Sequence, residues 1–176
     1  MIILTEIDFI DKTVKFETGK LYIISGHSYI DNIKFASDLY SQLKQKAVFL
    51  TEHNTILFKN KKVYLKSFKD VVLNAWRALE KNSDIKLLII DNFERFMLNN
   101  QNKLYSYKYE SYLSSLAGLA ECYNVCICVI MGTKNHTGKI EKPCMDINSL
   151  RYGETQLKHS DGIILINKTT YNYISK

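Results

Sequence analysis

The residues best placed to do chemistry lie where a strand-like run hands over to a helix-like one. Gly19 leads into Leu21-Tyr22-Ile23-Ile24-Ser25-Gly26, and apolar residues at helical spacing follow from Ile33 to Lys44. Such a junction binds phosphate when glycine N–H groups cradle the oxygens, a lysine neutralises them and a Ser or Thr hydroxyl holds magnesium. The junction here reads His27-Ser28-Tyr29-Ile30-Asp31-Asn32-Ile33, so the closing positions are Asp31, Asn32 and Ile33. None of these three supplies the lysine or the hydroxyl. Ser28 and Asp31 instead have the S-x-x-D spacing of a capping box, which places Asp31 at the positive end of the helix dipole where a phosphate would sit. A plainer reading leaves Asp31 as an exposed turn residue.

Two carboxylates form a second candidate pair. Asp91 ends the apolar run Leu87-Leu88-Ile89-Ile90, and Glu52 follows Val48-Phe49-Leu50-Thr51. The carboxyl end of a buried strand is where ligands bind in open α/β sheets, so the two share one rim and suit a metal and a water. The competing reading for Asp91 is a strand-end residue capping the next turn.

Positioning these residues requires strands alternating with helices. The segments 21–25, 47–51, 62–65, 86–91, 125–131 and 162–167 read as strands, most of them apolar on both faces. Helical spacing covers 33–44, 68–81 and 109–123, as in Val71, Val72, Ala75, Trp76 and Leu79. The pattern predicts an α/β fold with an open, mainly parallel sheet flanked by helices and right-handed crossovers. Residues Ile2 to Phe16 read as an added hairpin turning near Asp11-Lys12. With 176 residues and no repeat or linker, the chain reads as one domain.

Composition narrows the chemistry further. Cys122, Cys126, Cys128 and Cys144 lack C-x-x-C spacing, and Cys126 and Cys128 fall on one face of a strand as small core residues. The four histidines are scattered, so no structural metal is expected. Lysine plus arginine outnumber aspartate plus glutamate by 24 to 18, which permits a nucleic-acid partner without requiring one. No apolar run approaches the ~18 residues of a membrane span. Glu6, Asp8 and Asp11 break the pattern of a secretion signal, and a cytoplasmic location is expected.

Five segments, in order, resemble the RecA-like motor domain of the DnaB-type replicative DNA helicases. Gly19 to Ile24 looks like the strand entering that family's phosphate loop, Thr51-Glu52 like the strand end with its catalytic glutamate, and Leu88-Ile89-Ile90-Asp91 like its magnesium-binding aspartate motif. Tyr112 to Val125 resembles the helix leading into its fourth core strand. Asp146-Ile147-Asn148-Ser149-Leu150-Arg151-Tyr152-Gly153-Glu154, continuing to Ile166, is similar to the family's D-L-R-x-S-G-x-I-E-x-x-A-D run. The resemblance runs over residues 18–173 and implies a RecA-like P-loop NTPase fold with that stretch as its core.

The same resemblance marks the departures. Gly26, Ser28, Asp31, Asn32 and Ile33 form a degenerate phosphate loop. A carboxylate about 5 Å from a phosphate charge costs roughly 3 kcal/mol at an effective dielectric near 20, and losing the lysine removes an attraction of similar size. Met131-Gly132-Thr133 stands where the family has a polar pair sensing the γ-phosphate, and the sequence ends at Lys176, before the strand whose lysine and arginine reach a neighbouring subunit.

The expectation is a non-catalytic domain without a cofactor, acting as a DNA- or protein-binding partner in replication or recombination. Its partner would be single-stranded DNA or a replication protein. By resemblance, the loops after Asp91 and Met131 face DNA: Lys103, Tyr105, Tyr107 and Lys108 in the first, Lys134 and Lys139 in the second. Lysines among aromatics suit stacked bases and neutralised phosphates; a solvated loop is the alternative. Lys59, Lys61, Lys62 and Lys66 read as a charge-protected strand edge. Two other readings stay open: a divergent, active DNA-dependent ATPase using ATP, Mg2+, Asp91 and Glu52, and a structural module binding neither ligand. Any oligomer is expected to be small, with no closed, nucleotide-bridged hexamer.

Overall fold

The computed structural model describes residues 2–3, 14–26, 29–43, 46–51, 62–64, 71–91, 93, 106–132, 146–150, 153–167 and 170–175. A short antiparallel pair, β1 (Ile2–Ile3) and β2 (Phe16–Glu17), matches Ile2 to Glu17 and Ile3 to Phe16. The ends of the expected N-terminal hairpin therefore do pair, and its turn near Asp11 lies outside the described residues.

The main sheet contains β3 (Leu21–Gly26), β4 (Ala47–Thr51), β5 (Lys62–Tyr64), β6 (Leu87–Ile90), β7 (Cys126–Met131), β8 (Gly162–Asn167) and β9 (Thr170–Ser175). Their order is β5-β4-β6-β7-β3-β8-β9, parallel throughout except for the antiparallel β9. Every residue of β3, β6 and β7 is buried, as central parallel strands covered on both faces require. Among the described residues β5, which carries Lys62, is an edge strand.

Period-two alternation divides the apolar residues between two layers. Tyr22 and Ile24 of β3 join Phe49, Ile89, Cys128 and Ile130 beneath α1 (Tyr29–Leu43), which contributes Ile33, Phe35, Ala36 and Leu39. Leu21 and Ile23 face the other way, with Leu50, Leu88, Ile90 and Val129. They pack against α2 (Val71–Glu80) through Val71, Ala75 and Leu79, and against α3 (Ser106–Tyr123) through Leu113, Leu116 and Ala120. Leu157 of α4 (Gly153–His159) packs on that second layer too.

Cys126 and Cys128 are buried side by side under α1, their sulfurs 3.8 Å apart and unbridged. Burial pushes the Cys126 thiol up, the state of an inert core residue. Gly19 turns the chain into β3 with φ +85° while its N–H donates to the Val125 carbonyl, a conformation that L side chains resist.

Four elements differ from the periodicity reading. Helix α1 begins at Tyr29, one turn before Ile33, and α3 begins at Ser106 rather than Tyr109. The short helix α4 and the edge strand β9 are elements that periodicity does not predict. No helix among the described residues is long and apolar enough to cross a membrane.

Candidate functional site

Strands β3 and β7 lie side by side, with Ser25 matched to Met131. The connection leaving β3 crosses the α1 face to reach β4, whereas the one leaving β7 runs through α4 on the opposite face to reach β8. Adjacent strands whose connections depart to opposite faces open a crevice at their carboxyl ends, the place where such sheets bind ligands. Gly26, Asn32, Met131 and Asp91 surround that end of the sheet.

Only His27 and Ser28 separate β3 from α1. Tyr29, Ile30 and Asp31, expected in a wrapped loop, belong instead to the first turn of the helix. In a helix starting at Tyr29 the N–H of Ile33 closes onto the Tyr29 carbonyl, so it is spent internally rather than presented to an anion. The start at Tyr29 also puts Ser28 in the N-cap place of the sequence and Asp31 three residues on, the register that a capping box needs. Ser28 itself lies outside the described residues.

Asn32 occupies the crevice. It is 1% exposed, and its Nδ2 donates to the Met131 carbonyl over 3.4 Å, a long and weak bond. A Cβ added to Gly26 would stand 2.3 Å from Asn32 Oδ1 and 2.6 Å from the Ile166 carbonyl oxygen. Glycine is therefore required at the strand end because the Asn32 amide and the β8 backbone close directly over it. Asn32 Oδ1 and Ser25 Oγ are buried and meet no hydrogen-bond partner among the described residues. Each such group costs about 1–3 kcal/mol. Ile33 is buried in the α1 layer, so the position that would hold magnesium is an apolar core residue.

Asp91 follows β6, is 1% exposed, and donates its backbone N–H to the Leu50 carbonyl at 2.9 Å. Beside it, Phe93 meets Tyr109 edge-on at 5.8 Å between centroids, and the Tyr109 hydroxyl donates to Met131 Sδ at 2.7 Å. Met131 is thus drawn into the core. Tyr109, the first residue of the helical run expected over 109–123, is a fully buried core residue. Tyr107 and Lys108 fall in the first turn of α3 rather than in a loop. Glu52, Lys103, Tyr105, Lys134 and Lys139 lie outside the described residues.

Gly26 and Asn32 meet at the end of β3, Ile33 is packed in the α1 layer, and Asp91 follows β6, two strands away in the sheet. The structure adds partners that motif reading misses: Ser25, the Met131 carbonyl, Tyr109 and Ile166. Ser25, a polar residue closing an apolar strand, is the available signal. Among the described residues no group of three or more His, Cys, Asp or Glu could hold a metal ion.

This arrangement of sheet and helices has counterparts among solved structures. One, described as an ATPase domain, aligns with a TM-score of 0.70 over 93% of this chain and 75% of that one, at 10% identity. The fold is RecA-like. The crystal structure of the RadB recombinase aligns with a TM-score of 0.64 over 94% of this chain and 83% of that one, at 12% identity. No protein-family model and no curated protein matches the sequence. Identities this low establish the fold alone. The comparisons thus show a RecA-like fold for this chain and do not single out a DnaB-type motor within it.

Proposed function

We propose that this chain is a non-catalytic RecA-like domain that serves as a DNA- or protein-binding partner in DNA replication or recombination. One observation carries the reading: the first turn of α1 is built into the body of the fold, with Asn32 closed over Gly26 and Ile33 in the core. A phosphate at this position would meet neither lysine nor hydroxyl, and admitting it would require Asn32 to move. The two nearby solved structures bear names tied to ATP and to recombination, which supports the setting of nucleic-acid transactions.

Single-stranded DNA is the partner this reading favours, through Lys103, Tyr105, Tyr107 and Lys108 with Lys134 and Lys139. Contacts of this kind are tolerant of sequence and fall steeply with salt, because each neutralised phosphate releases counterions. A single experiment tests the proposal: fluorescence anisotropy of a labelled oligonucleotide at rising ionic strength, run beside an ATP turnover assay. Salt-sensitive binding weakened by charge reversal of Lys103 and Lys108, with turnover at background, is expected. Turnover above background that is lost in Asp91→Ala would transfer the assignment to a divergent ATPase using Asp91 and Glu52. No binding and no turnover would leave a purely structural module.

A further inference from the structure

Two helices begin at the carboxyl rim of the sheet on opposite faces, and Met131 touches the start of both. Its side chain lies in the layer beneath α2 and α3, where the Tyr109 hydroxyl donates to Sδ at 2.7 Å. Its backbone carbonyl accepts from Nδ2 of Asn32, in the first turn of α1, at 3.4 Å. Phe93 stands edge-on to Tyr109 at 5.8 Å between centroids and limits where that ring can go. Asn32, Phe93, Tyr109 and Met131 are each no more than 1% exposed, so a shift of one is passed to the next rather than absorbed by solvent.

Met131 is also where the sheet releases the chain. Strand β7 ends there, and Ser25↔Met131 is its last matched pair with β3, so the direction of the Met131 carbonyl follows from how the residue is seated. An unbranched methionine side chain adapts readily, and its seat is set by its partners, here the Tyr109 hydroxyl. The Asn32 bond has no slack. At 3.4 Å it is already longer than the ordinary N–H···O range, and a further shift of about a few tenths of an ångström removes it. An amide donor left buried without an acceptor is costly, and it reaches water by unwinding the first turn of α1. On the α4 side, Glu110 accepts from Lys158 Nζ at 2.7 Å and lies 3.0 Å from His159 Nε2, so Tyr109 is seated by the docking of the whole of α3.

We propose that Met131 interlocks the two helix starts: the seating of Tyr109 on one face of the sheet holds Asn32 closed over Gly26 on the other, so the crevice is shut only while α3 is docked. The device is conformational and does not depend on which partner the domain binds. It makes the closed rim conditional, because lifting the start of α3 loosens the start of α1, and linkage requires the reverse as well.

Amide hydrogen exchange of the intact chain under native conditions tests this, read as the rate at Ile33, whose N–H closes the first turn of α1, relative to that at Leu39 farther along the same helix. Tyr109→Phe removes the hydroxyl and keeps the ring, and should raise this ratio by about threefold or more. Tyr22→Phe removes another buried phenol hydroxyl, one that donates to the Lys15 carbonyl instead, and should leave the ratio unchanged. In an Asn32→Leu background, which has no amide to release, Tyr109→Phe should no longer alter it. If Tyr109→Phe fails to fold, Met131→Leu, similar in volume and without the sulfur acceptor, should raise the ratio in the same way and decides alone. An unchanged ratio in Tyr109→Phe, an equal rise in Tyr22→Phe, or a rise that survives in the Asn32→Leu background overturns the proposal.

Discussion

At its amino end β3 is closed by the fully engaged carboxylate of Asp161; at its carboxyl end buried polar atoms meet no partner among the described residues. Asp161 accepts from Lys20 Nζ at 3.0 Å and from the Leu21 N–H at 2.9 Å, while its own N–H donates to the Leu21 carbonyl at 2.8 Å. Further along the same strand, Ser25 Oγ and, just past it, Asn32 Oδ1 are buried and meet no partner among the described residues. The difference separates what holds the sheet together from what the fold elsewhere uses for ligands. In open α/β sheets the carboxyl rim is the functional side. In this chain the Asn32 side chain of α1 and the β8 backbone close over Gly26 at that rim.

The contrast can be broken by substitution, and the largest effect is expected at Ile33. If it is a core residue rather than a vestige of a magnesium site, Ile33→Ala should lower the unfolding free energy in urea by about 2–5 kcal/mol. Gly26→Ala comes next, at about 1–3 kcal/mol, because the added methyl collides with Asn32 and with backbone that cannot give way.

A paired substitution compares the two ends directly. Asp161→Ala removes the acceptor of the buried Leu21 N–H and should cost about 1–3 kcal/mol. Asn32→Leu, similar in volume, removes an amide whose oxygen meets no partner among the described residues and whose one bond is long, so it should be neutral within ~1 kcal/mol or stabilising. Equal losses at both positions in urea titrations would erase the distinction.

The smallest effect concerns pH. Burial raises the Tyr22 phenol, opposed in part by the Glu17 N–H that it accepts, while its own hydroxyl donates to the Lys15 carbonyl. Folding thus favours the neutral phenol, and its contribution is complete below the unfolded value near ~10 and is lost as pH rises above it. Thermal melts should fall between about pH 10 and 11 and fall less steeply in Tyr22→Phe. Identical slopes would show that Tyr22 is not the group responsible.

Much of the fold is legible in the sequence because central parallel strands are apolar on both faces. The bounds of β4 and β8 coincide with the runs Ala47–Thr51 and Gly162–Asn167. The start of α1 is harder to read because resemblance to a phosphate loop suggests a loop through Ile33, whereas Ser28 and Asp31 carry the competing signal of a helix beginning at Tyr29. Strand β9 escapes because its polar and aromatic residues lack the apolar run that marks its neighbours. Helix α4 is seven residues long, with Leu157 its one large apolar residue. At the site, sequence shows which groups are missing from positions 31–33. It does not show that Asn32 closes over Gly26, since that contact depends on how α1 docks against β7 and β8.

The central claim, that the crevice beside Gly26 is closed to a nucleotide, is tested most directly by isothermal titration calorimetry of the intact chain with ATP and magnesium. The account predicts no saturable heat for the unaltered chain. Saturable, magnesium-dependent binding that disappears in Asp91→Ala would contradict it.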